Sequence, residues 1–550
     1  MTRETRTEVC IAGGGCGGVG AALELLKAGR KIILIEPTPL LGGQLSSQGV
    51  PPDEHRWIEG DGPGAPGFHG ATDTYVDFRN RVRAHYRDHE SLTPDAKSNP
   101  RLDPGGGWVS RLCFAPRLAD PIIRAMLAEA EKQGGGSLTI LERTQWTALD
   151  HTNDRVGPLI VRTSEGDEIA IDADLYLDAT ETGDLLEMGA VEHAIGAESA
   201  RVYGELHGRD DLPTGTDCDP LDQQAFTWCF AVEHRVGEDH TIDRPAAYDY
   251  WRSAIPEMTP GWTGPLFSWT VPSHNEAGSR RFALVPPPDE PAEWELWRYR
   301  RIVDAAAHTD GRPDVSLFNC VQIDYWGEPL LGVTAEARDR ALAAAREQSL
   351  CFLHWMQTEA PRHDGDGVGY PGLRLQGEEL ASPDGLALAP YIREPRRMMA
   401  RTMLTERHVG TEQRRDLPGQ DGSPYGVGEA FDDAVAVGHY PIDLHPSCAG
   451  RNSVYIAACP FRVPMGSLVP VLTTNLLAAG KCLGVSHVAN GSTRLHPVEW
   501  GIGAAAGVVA AECLDRGLSP IALHADRSAW GDVRARLHAA GCPTAWPWEP

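Results

Sequence analysis

Cysteine pairing is the first thing missing from this sequence. It holds twelve cysteines, yet none forms a C-x-x-C pair and none lies between Gln44 and Leu112. With no secretory signal, the expectation is reduced thiols and a cytoplasmic location, with no metal site assigned. Basic charge is also short: Lys plus Arg is 50 against 77 Asp plus Glu, a formal charge of −27. That balance excludes nucleic acid and anionic membrane surfaces as partners, since both reward basic patches. No uninterrupted apolar run approaches ~20 residues, so no membrane span is expected. A hydrophobic content of 41% is that of a globular protein, and 550 residues exceed one core, so several folding units are expected.

What is present is concentrated at the start. Residues 8–44 read EVCIAGGGCGGVGAALELLKAGRKIILIEPTPLLGGQ. A short apolar strand over 9–12 leads into Gly13, Gly15 and Gly18 as G-x-G-x-x-G, with Cys16 and Gly17 between the last two. A helical run over 19–27, a stop at Gly29, a second apolar strand over 31–35 and the acidic Glu36 follow. The first glycine permits a tight turn, the second lets backbone approach a pyrophosphate, and the third lets helix pack on strand. The helix N-terminus then faces the phosphates and the acid bonds the ribose hydroxyls. This is the pattern of an adenine dinucleotide site, open at this point to NAD or FAD. Beyond Glu36, Gly42, Gly43 and Gln44 read as a turn; in flavoproteins resembling glutathione reductase in their FAD fold, a Gly-Gly pair here lets the chain pass close to the ribityl and flavin region.

Further along, 60–70 and 94–107 read as loops, and 73–89 has helical periodicity. Residues 120–132 form an amphipathic helix with Asp120 as N-cap and Pro121 in the first turn. Strands are expected over 138–142, 159–163 and 168–171. Residues 174–184, DLYLDATETGD, are a buried strand running into a turn of small residues, with Ala179, Thr180, Gly183 and Asp184 suited to passing beside a cofactor. From 195 to about 387 aromatics and prolines dominate, with strands over 282–284 and 295–302 and a long helix over 335–356. Later come Y-I-R-E-P-R-R at 391–397, a strand over 475–480 ending at Gly480, and a helix over 499–512. Gly501, Gly503 and Gly507 cost that helix stability. Small residues there let its N-terminus approach the flavin pyrimidine edge.

Taken together the chain resembles an FAD-dependent oxidoreductase family with a glutathione-reductase-like FAD fold. Members pair the N-terminal triplet with D-A-T-x-x-G-D, then Y-x-R-E-x-R-R, D-x-x-x-x-x-x-Y-P-x-D-x-H and N-L-L-x-x-G before a last helix. Here these are residues 178–184, 391–397, 433–445 and 475–480. The resemblance implies an α/β architecture: a Rossmann-like FAD-binding domain with a central parallel sheet and helices, and an α+β substrate domain with an antiparallel sheet. The expected division is 1–195 for the FAD domain, 196–430 for the substrate domain, 431–515 for the returning FAD part and 516–550 for a helical tail. Many proteins of this broad fold place Asp after the last flavin glycine; here Lys481 follows Gly480, so that role is not assigned.

The expected reaction is direct oxidation of a small organic substrate by hydride transfer to flavin N5, with molecular oxygen or another acceptor reoxidising FAD. Such chemistry needs a base and a cation. His487 and His445 are the base candidates, because histidine titrates near neutrality. Arg393 and Arg397 can fix an anion bidentately, with Glu394 or the FAD pyrophosphate as alternative partners for both. Asp324 and Tyr325 join them on family grounds alone. The missing cysteine pair after Gly43 argues against a disulfide reductase. A flavin-dependent monooxygenase or halogenase stays as an alternative, with F-S-W-T-V-P at 267–272 a faint echo of the latter. A non-catalytic flavin-binding role also stays open, as do covalent flavin attachment through His55 or His69 and a homodimer.

Overall fold

The computed structural model describes residues 3–548 apart from 64, 274–278, 286–293, 364, 366 and 418–425. Strand β1 (Arg3–Ala12) runs into helix α1 (Cys16–Lys27) and returns as β2 (Lys31–Glu36). Helices α2 (Asp73–His89) and α3 (Ala119–Gly134) follow, then β3 (Ser137–Glu142), β4 (Gln145–Thr152), β5 (Arg155–Arg162) and β6 (Glu168–Asp178). They build one sheet in the order β3-β2-β1-β6-β5-β4. β1, β2, β3 and β6 are parallel, whereas β5 and β4 attach as an antiparallel meander.

β6 belongs to both halves of the sheet. Residues 168–171 pair with β5, while Tyr176, Leu177 and Asp178 pair with the last strand of the fold. Between them the chain leaves for a four-stranded antiparallel sheet of β7 (Phe230–His234), β8 (Arg301–Val303), β9 (Val315–Phe318) and β10 (Leu373–Leu375), in the order β8-β9-β7-β10. Helix α4 (Ala335–Thr358) packs beside it, opened by the Thr334 hydroxyl accepting from the Ala337 N–H. The chain then comes back as β11 (Leu476–Ala478) and α5 (His496–Arg516). The larger core draws on Val9 to Val191 and again on Met398 to Cys542, and a second core on Phe226 to Ile392. The α/β class, with a parallel-dominated sheet and separate antiparallel sheets, is thus present.

Several elements differ from the sequence reading for identifiable reasons. β1 starts at Arg3 because its polar residues 3–7 pair with the start of β6. Helix α3 takes Leu118 as its N-cap; Asp120 lies inside it, accepting from the Leu41 N–H and pairing with Arg124. The single strand expected over 295–302 breaks into Trp294–Glu295, a turn of helix at Leu296–Tyr299 and β8, since Leu296 and Trp297 are buried in succession rather than alternately. β4 carries almost no buried side chain, so apolar alternation could not reveal it.

Helix α5 is long and apolar enough to cross a membrane by composition, but it is buried as the central helix of the larger core. It crosses α1 at very close range. A Cβ on Gly503 would overlap the Gly17 carbonyl oxygen, and one on Gly507 would lie 2.6 Å from the Ala21 carbonyl oxygen. The helix costs of Gly503 and Gly507 are therefore met by backbone contact between the first and last helices.

Candidate functional site

A cavity of about 980 Å³ opens at the carboxyl ends of β1, β2 and β6 and is lined by Gly13, Gly15, Glu36, Gly43, Ala179, Glu181, Thr182 and Asp184. The carboxyl ends of parallel strands are where such folds bind ligands. Gly13 has φ +99° and sits against Ala179, so a side chain there would overlap the Ala179 carbonyl. Gly42 and Gly43 have φ of +110° and +53°, and a Cβ on Gly43 would lie 2.9 Å from the Gly15 Cα. Two backbone turns thus meet with no side chain between them. Cys16 packs its sulfur on the Gly42 carbonyl at 3.6 Å, joining the turns. Gly17 lies on the Ala479 carbonyl and Gly18 on the Gly13 carbonyl, so both shape the loop rather than face the cavity. Helix α1 starts at Gly15 with no side-chain cap and no acidic residue in its first turn. Its dipole and first-turn N–H groups suit an anion, and the Gly17 N–H already donates to the Glu499 carboxylate.

Glu36 ends β2 in this cavity. One oxygen accepts from the Gly14 N–H at 2.9 Å and the other from the Thr38 N–H at 2.8 Å. Burial pushes its carboxyl up to about 7, against those two bonds. The 178–184 turn holds itself together: Thr180 bonds Asp178 through its N–H and hydroxyl, and the Asp184 N–H donates to the Thr180 hydroxyl at 2.7 Å. Gly183 has φ +65° there.

Three charged groups unread as site residues converge behind the loop. Lys481 bonds Glu181 and donates to the Ile392 carbonyl at 2.8 Å. Glu499 accepts from Gln44, and its other oxygen lies 3.5 Å from a Cβ position on Gly480. Burial pushes the Glu499 carboxyl up to about 7, Lys481 lowering it and Glu181 raising it. Burial disfavours the Lys481 ammonium, but Glu181 and Glu499 hold its pKa above the ordinary value. The only sequence signal for this cluster is Lys481 standing where the broad fold often has Asp.

These features fit FAD. Bare glycine turns and an uncapped helix N-terminus suit a pyrophosphate, Glu36 suits a ribose, and the Oε1 atoms of Gln44 and Gln48 are buried beside Gly43 with no hydrogen-bond partner among the described residues. Fold and site together define a dinucleotide-binding flavoprotein. The chain belongs to the FAD dependent oxidoreductase family, whose model matches residues 8–537. It is an FAD-dependent oxidoreductase. No curated protein matches it. Among solved structures it is similar to a geranylgeranyl bacteriochlorophyll reductase-like protein from Thermoplasma acidophilum, at 9% identity over 98% of this chain and 84% of that one, TM-score 0.32. It is similar to a variant of E. coli quinol fumarate reductase FrdA at 13% identity over 98% and 74%, TM-score 0.31. It is also similar to L-proline dehydrogenase from P. horikoshii at 14% identity, TM-score 0.18, where the match spans 36% of this chain but 26% of that one. At these scores the likeness carries nothing about substrate.

The remaining candidates fall in different places. Arg397 is fully buried between Glu394, Glu198 and the Gly196 carbonyl, so it is committed to an internal ion network and does not line the cavity. His487 joins the same network: Nδ1 bonds Glu394 at 2.7 Å and Nε2 meets Arg451. Both ring nitrogens are engaged and the ring is 1% exposed. Gly503 faces Gly17, and Gly501 has only Ala436 and Thr72 within about 4 Å. Neither lines the cavity. His55 bonds Gly70 and Trp57 inside an aromatic cluster with His439 and Trp546, and His69 bonds Ile58. Trp269 packs on Trp355 in the second core. Tyr325 packs on Phe226.

Arg393, Asp324 and His445 do come together. Arg393 donates to the Ala225 carbonyl and the Thr227 hydroxyl, both at 2.8 Å, and pairs with Asp324 at 3.0 Å. The other Asp324 oxygen holds His445 Nδ1 at 2.5 Å. Burial works to raise the Asp324 carboxyl, yet Arg393 and His445 bring it below the usual carboxylate range. His445 is partly exposed, and its Nε2 lies 3.5 Å from an Asp443 oxygen.

Proposed function

We propose that the chain oxidises a small organic substrate at a C–H bond next to an oxygen or nitrogen. FAD, when bound, supplies the hydride acceptor at N5 and hands the electrons to oxygen or another acceptor. The substrate also loses a proton from oxygen or nitrogen, and His445 is placed to take it at Nε2. Asp324 fixes the tautomer by accepting from Nδ1–H, leaving Nε2 with its lone pair, and stabilises the imidazolium that forms. Arg393 keeps Asp324 ionised. This Arg393–Asp324–His445 line, buried at Arg393 and Asp324 and partly exposed at His445, is the observation that carries the reading, because a carboxylate anchored on one side and an imidazole open on the other serve proton transfer more than packing. The twelve cysteines stand as thiols rather than in disulfides, which suits a reducing compartment such as the cytoplasm. Anaerobic mixing of the yellow protein with candidate substrates tests the reading. Bleaching should occur with a C–H donor and should slow strongly in His445→Ala with flavin content unchanged; equal rates would remove His445 as the base.

A further inference from the structure

Beside His445 lies a group of buried side chains whose donors the protein itself matches only in part. Arg300, just before β8, is 9% exposed; its guanidinium lies over the Tyr299 ring at 5.3 Å and, among the described residues, has Asp53 as its nearest carboxylate, at 3.5 Å. Arg494, 2% exposed, donates to the Tyr391 hydroxyl at 2.6 Å and the Asp443 carbonyl at 2.8 Å, with its nearest carboxylate, Asp443, again at 3.5 Å. The Nε atoms of both arginines have no hydrogen-bond partner among the described residues.

His496, fully buried as the first residue of α5, adds a third donor. Its Nδ1 accepts from the Asp53 N–H at 3.0 Å, so the neutral ring carries its proton on Nε2, and that atom has no partner among the described residues. Burial, with Arg300 and Lys481 nearby, lowers its pKa to about 3, so the ring stays neutral. Buried N–H groups are expensive to leave unpaired, and native proteins rarely do so without a ligand or a function. Two guanidiniums held off their carboxylates and one imidazole N–H make an anion seat, and planar forks match a carboxylate.

The seat joins both neighbouring sites. The Arg494 carbonyl accepts from Gln44 at 3.2 Å, next to the cofactor turn, and Asp443 lies 3.5 Å from both Arg494 and His445. We propose that Arg300, Arg494 and His496 seat the carboxylate of the substrate, so that the protein acts on small carboxylic acids. Calling the ligand a substrate rests on the oxidation reading above; the seat itself does not.

The test uses the full-length FAD-loaded protein titrated with acetate and propionate, and with acetamide as the neutral control. Binding is read by calorimetry and by the flavin difference spectrum, so no turnover is needed. The carboxylates should bind and acetamide should not. Arg300→Gln should raise the acetate dissociation constant at least tenfold with flavin content unchanged, and Arg300→Lys should recover part of the loss. Should Arg300→Gln fold poorly, His496→Asn gives a second reading, with a smaller loss expected. Equal binding of acetate and acetamide, or an unchanged constant in Arg300→Gln, overturns the proposal. So does loss of FAD in place of acetate affinity, which would give these donors to the cofactor. Acetate binding with no carboxylic acid able to bleach the flavin would instead sink the oxidation reading and leave the seat standing.

Discussion

His445 Nδ1 lies 2.5 Å from an Asp324 oxygen, and the opposite oxygen of the same carboxylate pairs with Arg393 at 3.0 Å. One buried carboxylate thus orients an imidazole and neutralises a guanidinium together. Its two neighbours report its loss differently. Removing the imidazole in His445→Ala should slow anaerobic flavin reduction by about 10²-fold or more. Asp324→Asn should in addition destabilise the fold by roughly 3–5 kcal/mol, because Arg393 is left as an uncompensated buried charge. Stopped-flow bleaching and urea melts on the two variants separate the effects.

The Glu394–Arg397–Glu198 network makes a contrasting prediction. Arg397→Ala should cost roughly 3–5 kcal/mol of stability, while the protein that remains folded keeps its full FAD content. A normal melt with lost flavin would return Arg397 to the cofactor.

Glu36 makes stability depend on pH. Its folded pKa of about 7 lies above the ordinary ~4.3 of an unfolded glutamate. A raised folded value contributes stability that is complete below the unfolded pKa and is lost as pH rises through the folded one. Deflavinated protein should therefore weaken between about pH 4.3 and 7, by up to roughly 3 kcal/mol from this group. Glu499 acts in the same sense. Glu36→Gln should flatten its share of that slope in melts at pH 5 and 8, and Glu36→Ala should lose FAD on gel filtration while staying folded.

Two glycines of α5 that look alike in sequence should behave in opposite ways. Gly503→Ala drives a methyl into the Gly17 carbonyl and should destabilise by roughly 1–3 kcal/mol or more. Gly501→Ala meets nothing closer than 3.8 Å and should be neutral or gain up to ~1 kcal/mol of helix propensity. Thermal melts of the pair decide it.

What sequence made readable was local. Residues 8–44 carry strand, turn, helix and acid in one run, and the model places Gly13, Gly15, Glu36 and Gly43 around one cavity. The excess of glycine in α5 correctly called for a reason, but that reason, a crossing with α1, needs two segments nearly five hundred residues apart. The arginines were the harder case. Arg393 and Arg397 are neighbours in one motif, yet β-pairing at 397–398 turns one toward Glu198 and leaves the other facing Asp324. Arg300 carries no motif at all; its burial with Asp53 as its nearest carboxylate appears only once β8 and the 53 loop are brought together.

The Gly17–Gly503 contact also orders events in time. The cofactor loop is synthesised long before α5 and β11, which close its back. A ribosome-bound chain short of residue 476 holds the glycine fingerprint without the strand beside β6 or the helix behind it, so flavin capture waits for α5. Prematurely terminated chains should leave the ribosome colourless.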